Sequence, residues 1–351
     1  MSLASGREIG VGVIGLGFMG RTHVAAYRDA RAAGLPCRLV AVADPNADRR
    51  DGRGEGAGNI ATGAQSERIF DPAEVTGYAD WRGLLEDDSV DLISICTPTP
   101  THVDLGLAAI ETGKHVLIEK PLALTSADAR RVADAARASE AIVMPAMCIR
   151  FWPAYAWLKR AIDSGEFGPV RSATFHRLGS TPAWADFYAD PTRSGGALVD
   201  LHIHDTDIVR HCFGPPTAVV SEGTSNHLTT MYRYDDGPEM VIAEGGWGHD
   251  PGFGFRMRFV VCFEGATAEF DLGREAPLVL SRDGESRPVE VEPLTGYDAE
   301  IRHLVRCIAE GRPDAGVSCD DAAESLSLLE AERESLETGG PVAVAGRATR
   351  A

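Results

Sequence analysis

The stretch that most limits what this chain can fold into is Gly15-Leu-Gly-Phe-Met-Gly20, set between an apolar run at 9–14 and a helix-patterned segment at 20–33. Three glycines at this spacing between a strand and a helix meet three separate needs. Gly15 permits a tight turn, Gly17 lets the backbone approach a pyrophosphate, and Gly20 lets helix and strand pack closely. The free N–H groups and positive end of the following helix would then face the phosphates. The candidate cofactor-binding turn is thus Gly15, Gly17, Phe18, Met19 and Gly20. An ordinary tight β–α turn is the competing reading. A second strand at 38–43 ends on Asp44, 24 residues beyond Gly20 because the first crossover is long. A carboxylate there accepts hydrogen bonds from adenosine ribose hydroxyls and repels a 2′-phosphate, which favours NAD over NADP. Two features pull the other way. Arg49 and Arg50 stand close enough in sequence to reach a 2′-phosphate, and Asp44 with Pro45 and Asn46 also suits plain turn chemistry.

The alternation of apolar runs and helical stretches continues. Residues 51–66, rich in Gly and polar groups, read as loop. A short helix follows in YADWRGLLED, then a strand in VDLISICT, a helix at 101–112 ending at Gly113, and a strand in KHVLIEK. A helix with Ser126 as N-cap and a last strand in AIVMPAM complete the series. Such β–α alternation implies a parallel, doubly wound sheet. From about Phe151 the pattern changes. A helix at 153–164 leads to strand-like stretches at 170–177, 217–224, 229–235, 239–246, 255–263, 267–272 and 277–281, interrupted by one helix around 195–212. A helical pair at 297–310 and 319–338 closes the chain. This is the pattern of an antiparallel sheet with one helical layer. The expected domains are 1–148 and 149–351.

Composition sets limits on partners. With 34 Lys+Arg against 52 Asp+Glu, the net charge is −18. Such a surface repels phosphate backbones and anionic lipid, so neither nucleic acid nor membrane is an expected partner. No apolar run approaches the ~20 residues of a membrane span. The opening MSLASGREIG has no apolar core, so no secretory signal is expected. Seven cysteines, Cys37, Cys96, Cys148, Cys212, Cys262, Cys307 and Cys319, are widely spaced with no C-x-x-C. They read as free thiols in a reducing cytoplasm.

Ligands of an open parallel sheet bind at the carboxyl ends of its strands. At one such end lies Cys96-Thr97-Pro98-Thr-Pro-Thr-His102, and at the next Glu119-Lys120-Pro121. The Glu–Lys neighbours could equally be a surface ion pair. Together with the glycine turn, Thr97-Pro98…His102 and GKHVLIEKPLA at 113–123 resemble the glucose–fructose oxidoreductase/inositol dehydrogenase (Gfo/Idh/MocA) family. The resemblance extends through RFWPAYAWLKRAIDSGEFGPV, GGALVDLHIHDTDIVRHCFG at 195–214 and GYDAEIRHLVRCIAEG, nearly the whole chain. It implies an α/β fold: an N-terminal Rossmann domain and a C-terminal α+β domain with a large, mostly antiparallel sheet. It further implies a nicotinamide cofactor contacted by Asp44, Thr97, Pro98, His102, Glu119 and Lys120, and a cyclic polyol or sugar as substrate. Homodimers or homotetramers joined through the sheet are implied too. In the family the Lys of E-K-P and the Asp and His of D-x-x-x-H surround the nicotinamide. The matching residues are Lys120, Asp200 and His204. His202 departs from the family, which often has Gly there.

The chemistry suits these residue types. Oxidising a secondary alcohol removes a proton from oxygen, for which imidazole is a fitting base, and the developing alkoxide needs a cation. His204 is therefore the expected acid/base, Lys120 the electrostatic and proton-relay partner, and Asp200 the orienter or a substrate ligand. On one helix, positions 200 and 204 share a face. An Asp–His pair at this spacing is also a common surface pair. Arg150, Trp152 and His176 are further candidates for substrate contact, and Trp184, Phe187, Tyr188 and Trp247 could stack on a sugar face. Arg150 could instead be held in a salt bridge, and the aromatics in the core. The acid- and imidazole-rich DLHIHDTDIVRHC also invites a metal reading. On a helix, however, His202 and His204 point ~200° apart, and zinc wants three or four converging ligands, so no metal is expected. Two other functions share this fold: a non-catalytic dinucleotide-binding sensor, and a glycosidase running a redox-neutral NAD cycle.

Overall fold

The computed structural model describes residues 7–54, 58, 67–183, 186–188, 190–313 and 315–344. Most of the 51–66 loop, Trp184 and the first six residues lie outside this set. The chain divides into two compact units, Met1–Phe151 with Leu294–Ala323, and Trp152–Pro293 with Glu324–Ala351. The closing helical pair is shared, with 294–323 returning to the first unit.

The first unit is built on strands β1 (Ile9–Ile14), β2 (Cys37–Ala43), β3 (Thr76–Tyr78), β4 (Leu92–Ile95), β5 (His115–Glu119) and β6 (Val143–Ala146). They form one sheet in the order β3-β2-β1-β4-β5-β6, parallel throughout. Every residue of β1 is buried, as expected of a strand covered on both faces. Helices α1 (Phe18–Ala32), α2 (Ala47–Arg50), α3 (Trp81–Leu85), α4 (His102–Glu111) and α5 (Ser126–Ala138) make the crossovers. Strand β3 was not expected. Thr-Gly-Tyr has no apolar periodicity and is held as an edge by its pairing with β2. Ser126 is not the cap of α5: Thr125 is, its hydroxyl accepting from Asp128 N–H.

The second unit opens with α6 (Pro153–Ser164) and carries β7 (Val170–Leu178), α7 (Pro191–Ser194), α8 (Gly196–Asp200) and α9 (Ile203–Phe213). Strands β8 (Ala218–Thr224), β9 (His227–Arg233), β10 (Met240–Gly246), β11 (Arg256–Phe263), β12 (Thr267–Asp271), β13 (Leu278–Arg282) and β14 (Glu285–Pro288) follow. Helix α10 (Gly296–Ala309) belongs to the first unit, α11 (Cys319–Thr338) spans the division, and β15 (Val342–Ala343) ends the set. The nine strands run β14-β13-β12-β11-β7-β10-β9-β8-β15. All neighbours are antiparallel except β7 and β10. Strand β14 escaped the sequence reading because all four of its residues are exposed, and β15 because it is only two residues long. The single helix expected at 195–212 is two helices. Asp205 N–H and His204 N–H bond back three residues, to His202 and Leu201, which tightens the chain into a 3₁₀-like turn.

Buried polar groups hold the first unit in register. His23 on α1 places Nε2 2.9 Å from Glu119 Oε1 and Nδ1 3.3 Å from Ser94 Oγ, which lies 2.9 Å from the Tyr27 hydroxyl. Helix α10 packs on α1 and brings Glu300, wholly buried, its two oxygens without a hydrogen-bond partner among the described residues. Burial, with the Glu119 charge adding to it, pushes the Glu300 carboxyl well above its ordinary value. An acid whose pKa is raised by folding contributes fully below its unfolded pKa and loses that contribution as pH rises toward the folded value. Glu300→Gln should therefore gain stability relative to the parent from about pH 5 upward, with a slope approaching ~1.4 kcal/mol per pH unit. Urea unfolding at pH 5, 6, 7 and 8 checks this. A difference that does not grow with pH would show that Glu300 ionises normally in the folded chain.

Candidate active site

The glycine turn separates into two steric roles and one open one. Gly15 has φ of 86°, and a Cβ there would stand 2.8 Å from the Cys96 carbonyl oxygen. On Gly20 a Cβ would fall 1.8 Å from the Gly15 carbonyl oxygen, so the helix can sit this close to the strand only with glycine. Gly17 has ordinary backbone angles, and its Cβ would meet nothing within 4 Å among the described residues. No contact with them calls for glycine there, whereas a phosphate lying against the backbone does. Gly17 is also the N-cap of α1 and makes no side-chain cap bond. The N-terminus of a helix suits an anion through its backbone N–H groups and dipole. A dinucleotide pyrophosphate fits this cradle.

Asp44 ends β2 only 4% exposed. Its Oδ2 accepts from Leu16 N–H at 2.8 Å and its Oδ1 from Asn46 N–H at 2.9 Å. The carboxylate thus ties the glycine turn to the second strand, and its bond to Asn46 is the turn chemistry read as its alternative. Each oxygen keeps a further lone pair for a ribose hydroxyl. Arg50 is committed to the backbone, donating to the Asp44 and Pro45 carbonyls at 2.7 and 2.9 Å. Half-exposed Arg49 has Nη1 3.8 Å from Asp44 Oδ2.

At the next strand ends, His102 joins two loops. Its Nε2 lies 2.7 Å from the Thr97 carbonyl oxygen and its Nδ1 2.8 Å from that of Pro121. Burial lowers the His102 pKa, the two carbonyls pulling in the opposite direction. The ring fixes the spacing of the Thr97-Pro98 loop and the Glu119-Lys120-Pro121 turn. Glu119, already bonded to His23, accepts Lys120 N–H at 3.0 Å, so the backbone that bears Lys120 is anchored from inside the sheet. His23, Ser94, Tyr27 and Glu300 went unread in the sequence. The signal for His23 was its place one helical turn beyond Gly20.

In the second unit Asp200 closes α8 and His204 lies in the first turn of α9, each 8% exposed. The other polar groups of α9 turn elsewhere. Asp205 accepts two bonds from Arg177 of β7, at 2.9 and 3.1 Å, both side chains being buried. Asp207 accepts from Ser325 at 3.0 Å, and His202 lies 3.2 Å from Glu332. Asp205, Asp207 and His202 thus turn to separate partners.

The remaining substrate candidates have other surroundings. Arg150 lies 3.5 Å from Asp321 within the first unit, the salt bridge read as its alternative. His176 is on β7 between Phe175 and Arg177, which are buried toward α9, and its own ring faces the other side of the sheet with Nδ1 3.1 Å from Glu244. The structure does not bring it to Asp200 and His204. Trp152 is 6% exposed at the N-cap of α6. Trp247, Tyr188, Ala197, Leu201 and Phe255 pack as one cluster beside α8, the core reading for these two aromatics.

A family model described as "Oxidoreductase family, NAD-binding Rossmann fold" matches residues 9–147, and one for the GFO/IDH/MocA C-terminal domain matches 155–276. Inositol 2-dehydrogenase 1 of Saccharopolyspora erythraea is 38% identical, over 95% of this chain and 96% of that one. The NAD-dependent scyllo-inositol 2-dehydrogenase of Bacillus subtilis is 29% identical, over 95% and 96%. Among solved structures, levoglucosan dehydrogenase with NADH and levoglucosan superposes with a TM-score of 0.80 at 22% identity, covering 97% of this chain and all of that one, a likeness of fold. With both of its halves matched and the glycine cradle intact, the chain belongs to the Gfo/Idh/MocA family of NAD-binding oxidoreductases.

Proposed function

We propose that this oxidoreductase removes hydrogen from a secondary alcohol of a cyclitol or sugar, with NAD as acceptor. The observation that carries the reading is the space over Gly17, a backbone cradle open to a pyrophosphate at an uncapped helix N-terminus. The inositol dehydrogenases that match this chain end to end support the substrate class. Bound nicotinamide supplies the acceptor for the substrate's hydride, and the chain's residues handle proton and charge. His204 takes the hydroxyl proton at an imidazole nitrogen. Lys120 offsets the charge that grows on the substrate oxygen. Asp200 orients the substrate or the imidazole and offsets the charge that His204 gains. Arg150, beside Asp321, and Trp152 stay proposed as substrate contacts, while the His176 ring is turned to Glu244 on the other face of the sheet. The thiols, none joined in a disulfide, fit a reducing cytoplasm.

The same reading extends to assembly as a homodimer or homotetramer. Met231, Met240 and Val260 are 41, 38 and 40% exposed. They alternate with buried residues along β9, β10 and β11 and so share the sheet face turned away from α9. Burying such side chains against a second copy removes apolar surface from water. Sedimentation should give a species heavier than the 37.4 kDa chain, and Met231→Asp with Val260→Asp should shift it toward monomer. A wild-type monomer at micromolar concentration would contradict the assembly.

Cofactor choice follows from Asp44. NAD should bind more tightly than NADP by calorimetry, and Asp44→Ser should narrow the gap. Equal binding of the two by the parent chain would sink the assignment and promote Arg49 to a phosphate ligand.

Catalysis is tested by Lys120→Ala and His204→Ala, assayed with NAD and a panel including myo-inositol, scyllo-inositol and levoglucosan. Each should lower turnover by about 10²–10⁴ while NADH affinity changes little. Net NADH accumulation with the free polyol would distinguish dehydrogenation from a redox-neutral cycle. Near-normal turnover by His204→Ala would overturn its role even with fold and cofactor intact.

A further inference from the structure

His202 stands between the two residues proposed for catalysis, and its backbone belongs to both helices. Its N–H donates to Ala197 O of α8 at 2.8 Å. Its carbonyl accepts from Asp205 and Thr206 N–H, the first turn of α9, at 2.9 and 3.0 Å. Whatever holds this residue sets the angle at which α8 ends on Asp200 and α9 begins with His204.

The side chain is held at Nε2, by a carboxylate and by the Tyr232 hydroxyl 3.4 Å away. His202 Nε2 lies 3.2 Å from Glu332 Oε2 of α11, and both side chains are fully buried. Glu332 collects three more donors: Thr206 Oγ1 at 2.9 Å and the Tyr232 hydroxyl at 3.0 Å on Oε1, and Thr230 Oγ1 at 3.2 Å on Oε2. A carboxylate has about four lone-pair directions, and with four partners facing this one its plane is fixed. A proton on His202 Nε2 adds the fourth donor, while Nδ1 has no hydrogen-bond partner among the described residues. Burial and the Glu332 charge keep the Tyr232 hydroxyl protonated, as a donor should be. The Nδ1 edge of the ring lies against Gly245 of β10, where a Cβ would stand 2.5 Å away. The strand has made room for an imidazole.

We propose that His202 and Glu332 are a buried positioning pair, through which α11 fixes the α8–α9 junction and with it the placement of His204 for proton transfer. The pair rests on the proposed role of His204 and deepens it. A buried hydrogen-bonded pair is a poor source of net stability, since apolar groups of the same shape can replace both partners at little cost. What a saturated polar network supplies is direction. The groups around the pair are Thr206 and Asp205 on α9, Arg177 on β7, Tyr232 and Thr230 on β9, and Glu332 on α11. Arg177 is committed to Asp205. The same helix is tied to α11 by Ser325 with Asp207 and by the Arg210–Glu324 ion pair, so losing one tie should tilt the first turn without unfolding the unit.

The test uses the full chain with NAD, taking myo- and scyllo-inositol as probe substrates and NADH as probe ligand. Glu332→Gln keeps the shape and loses two of the acceptor directions. His202→Phe fills the space without a donor, and His202→Gln restores a donor near the Nε2 position. Glu332→Gln and His202→Phe should lower kcat about 10–100-fold with KM and NADH affinity within about threefold. His202→Gln should recover most of kcat. Amide exchange should quicken about tenfold or more in 198–213 of the first two variants, while α1 keeps its protection. Unchanged kcat and exchange in Glu332→Gln would overturn the proposal, as would a loss of kcat that only tracks a global loss of protection and NADH binding. If the parent turns over neither inositol, the substrate reading fails separately and exchange alone decides: selective loosening of 198–213 upholds the pair, and no change refutes it.

Discussion

The contact between Gly20 and the Gly15 carbonyl governs the first unit. A methyl group at residue 20 would overlap that oxygen at 1.8 Å, so α1 can leave β1 at this angle and depth only without a side chain. Its depth in turn seats the buried face of the helix, bringing His23 onto Glu119 and Tyr27 onto Ser94. Glu119 then bonds the amide of Lys120. A steric allowance at one residue is thereby carried across three parallel strands, β1, β4 and β5, to the backbone of the lysine proposed to act on substrate.

The second unit solves a similar problem by polar saturation. Helix α9 lies against a sheet and a long helix with Asp205, Thr206 and Asp207 all turned inward. Each would be costly to bury alone. Arg177, Glu332 and Ser325 meet them in turn. The arrangement explains why a run of acids and histidines that resembles a ligand cluster in one dimension has no common focus in three. It also gives His202 a role as the hinge residue between α8 and α9, where a glycine would leave Glu332 short of one donor.

Much of the fold was legible because its signals are local. Apolar runs of strand length bounded by glycine and proline located β1, β2 and β4 to β6, and helices α6 and α11 start and stop where the pattern places them. The expectations failed where local pattern is weakest. Thr76–Tyr78 has no apolar alternation, and Glu285–Pro288 is exposed on every residue. At Thr125 and Ser126 two hydroxyls compete for one cap, and only backbone geometry decides between them. The split of 195–212 into α8 and α9 depends on hydrogen bonds three residues long that no periodicity announces.

By itself the sequence determined the glycine cradle and the acid that follows the second strand, because each is a residue type at a fixed spacing within one strand-turn-helix unit, whereas the Lys, Asp and His proposed for catalysis were marked by the resemblance of their motifs to the family. Only the tertiary structure decided which of the remaining polar residues share a neighbourhood. Glu332 lies 130 residues from His202 in the chain yet touches it. His176 sits one residue from Arg177 but faces the opposite side of the sheet. Glu300 meets the field of Glu119 only because α10 returns to α1. Side-chain partnership is set by which surfaces pack together, and packing joins residues that spacing along the chain keeps apart.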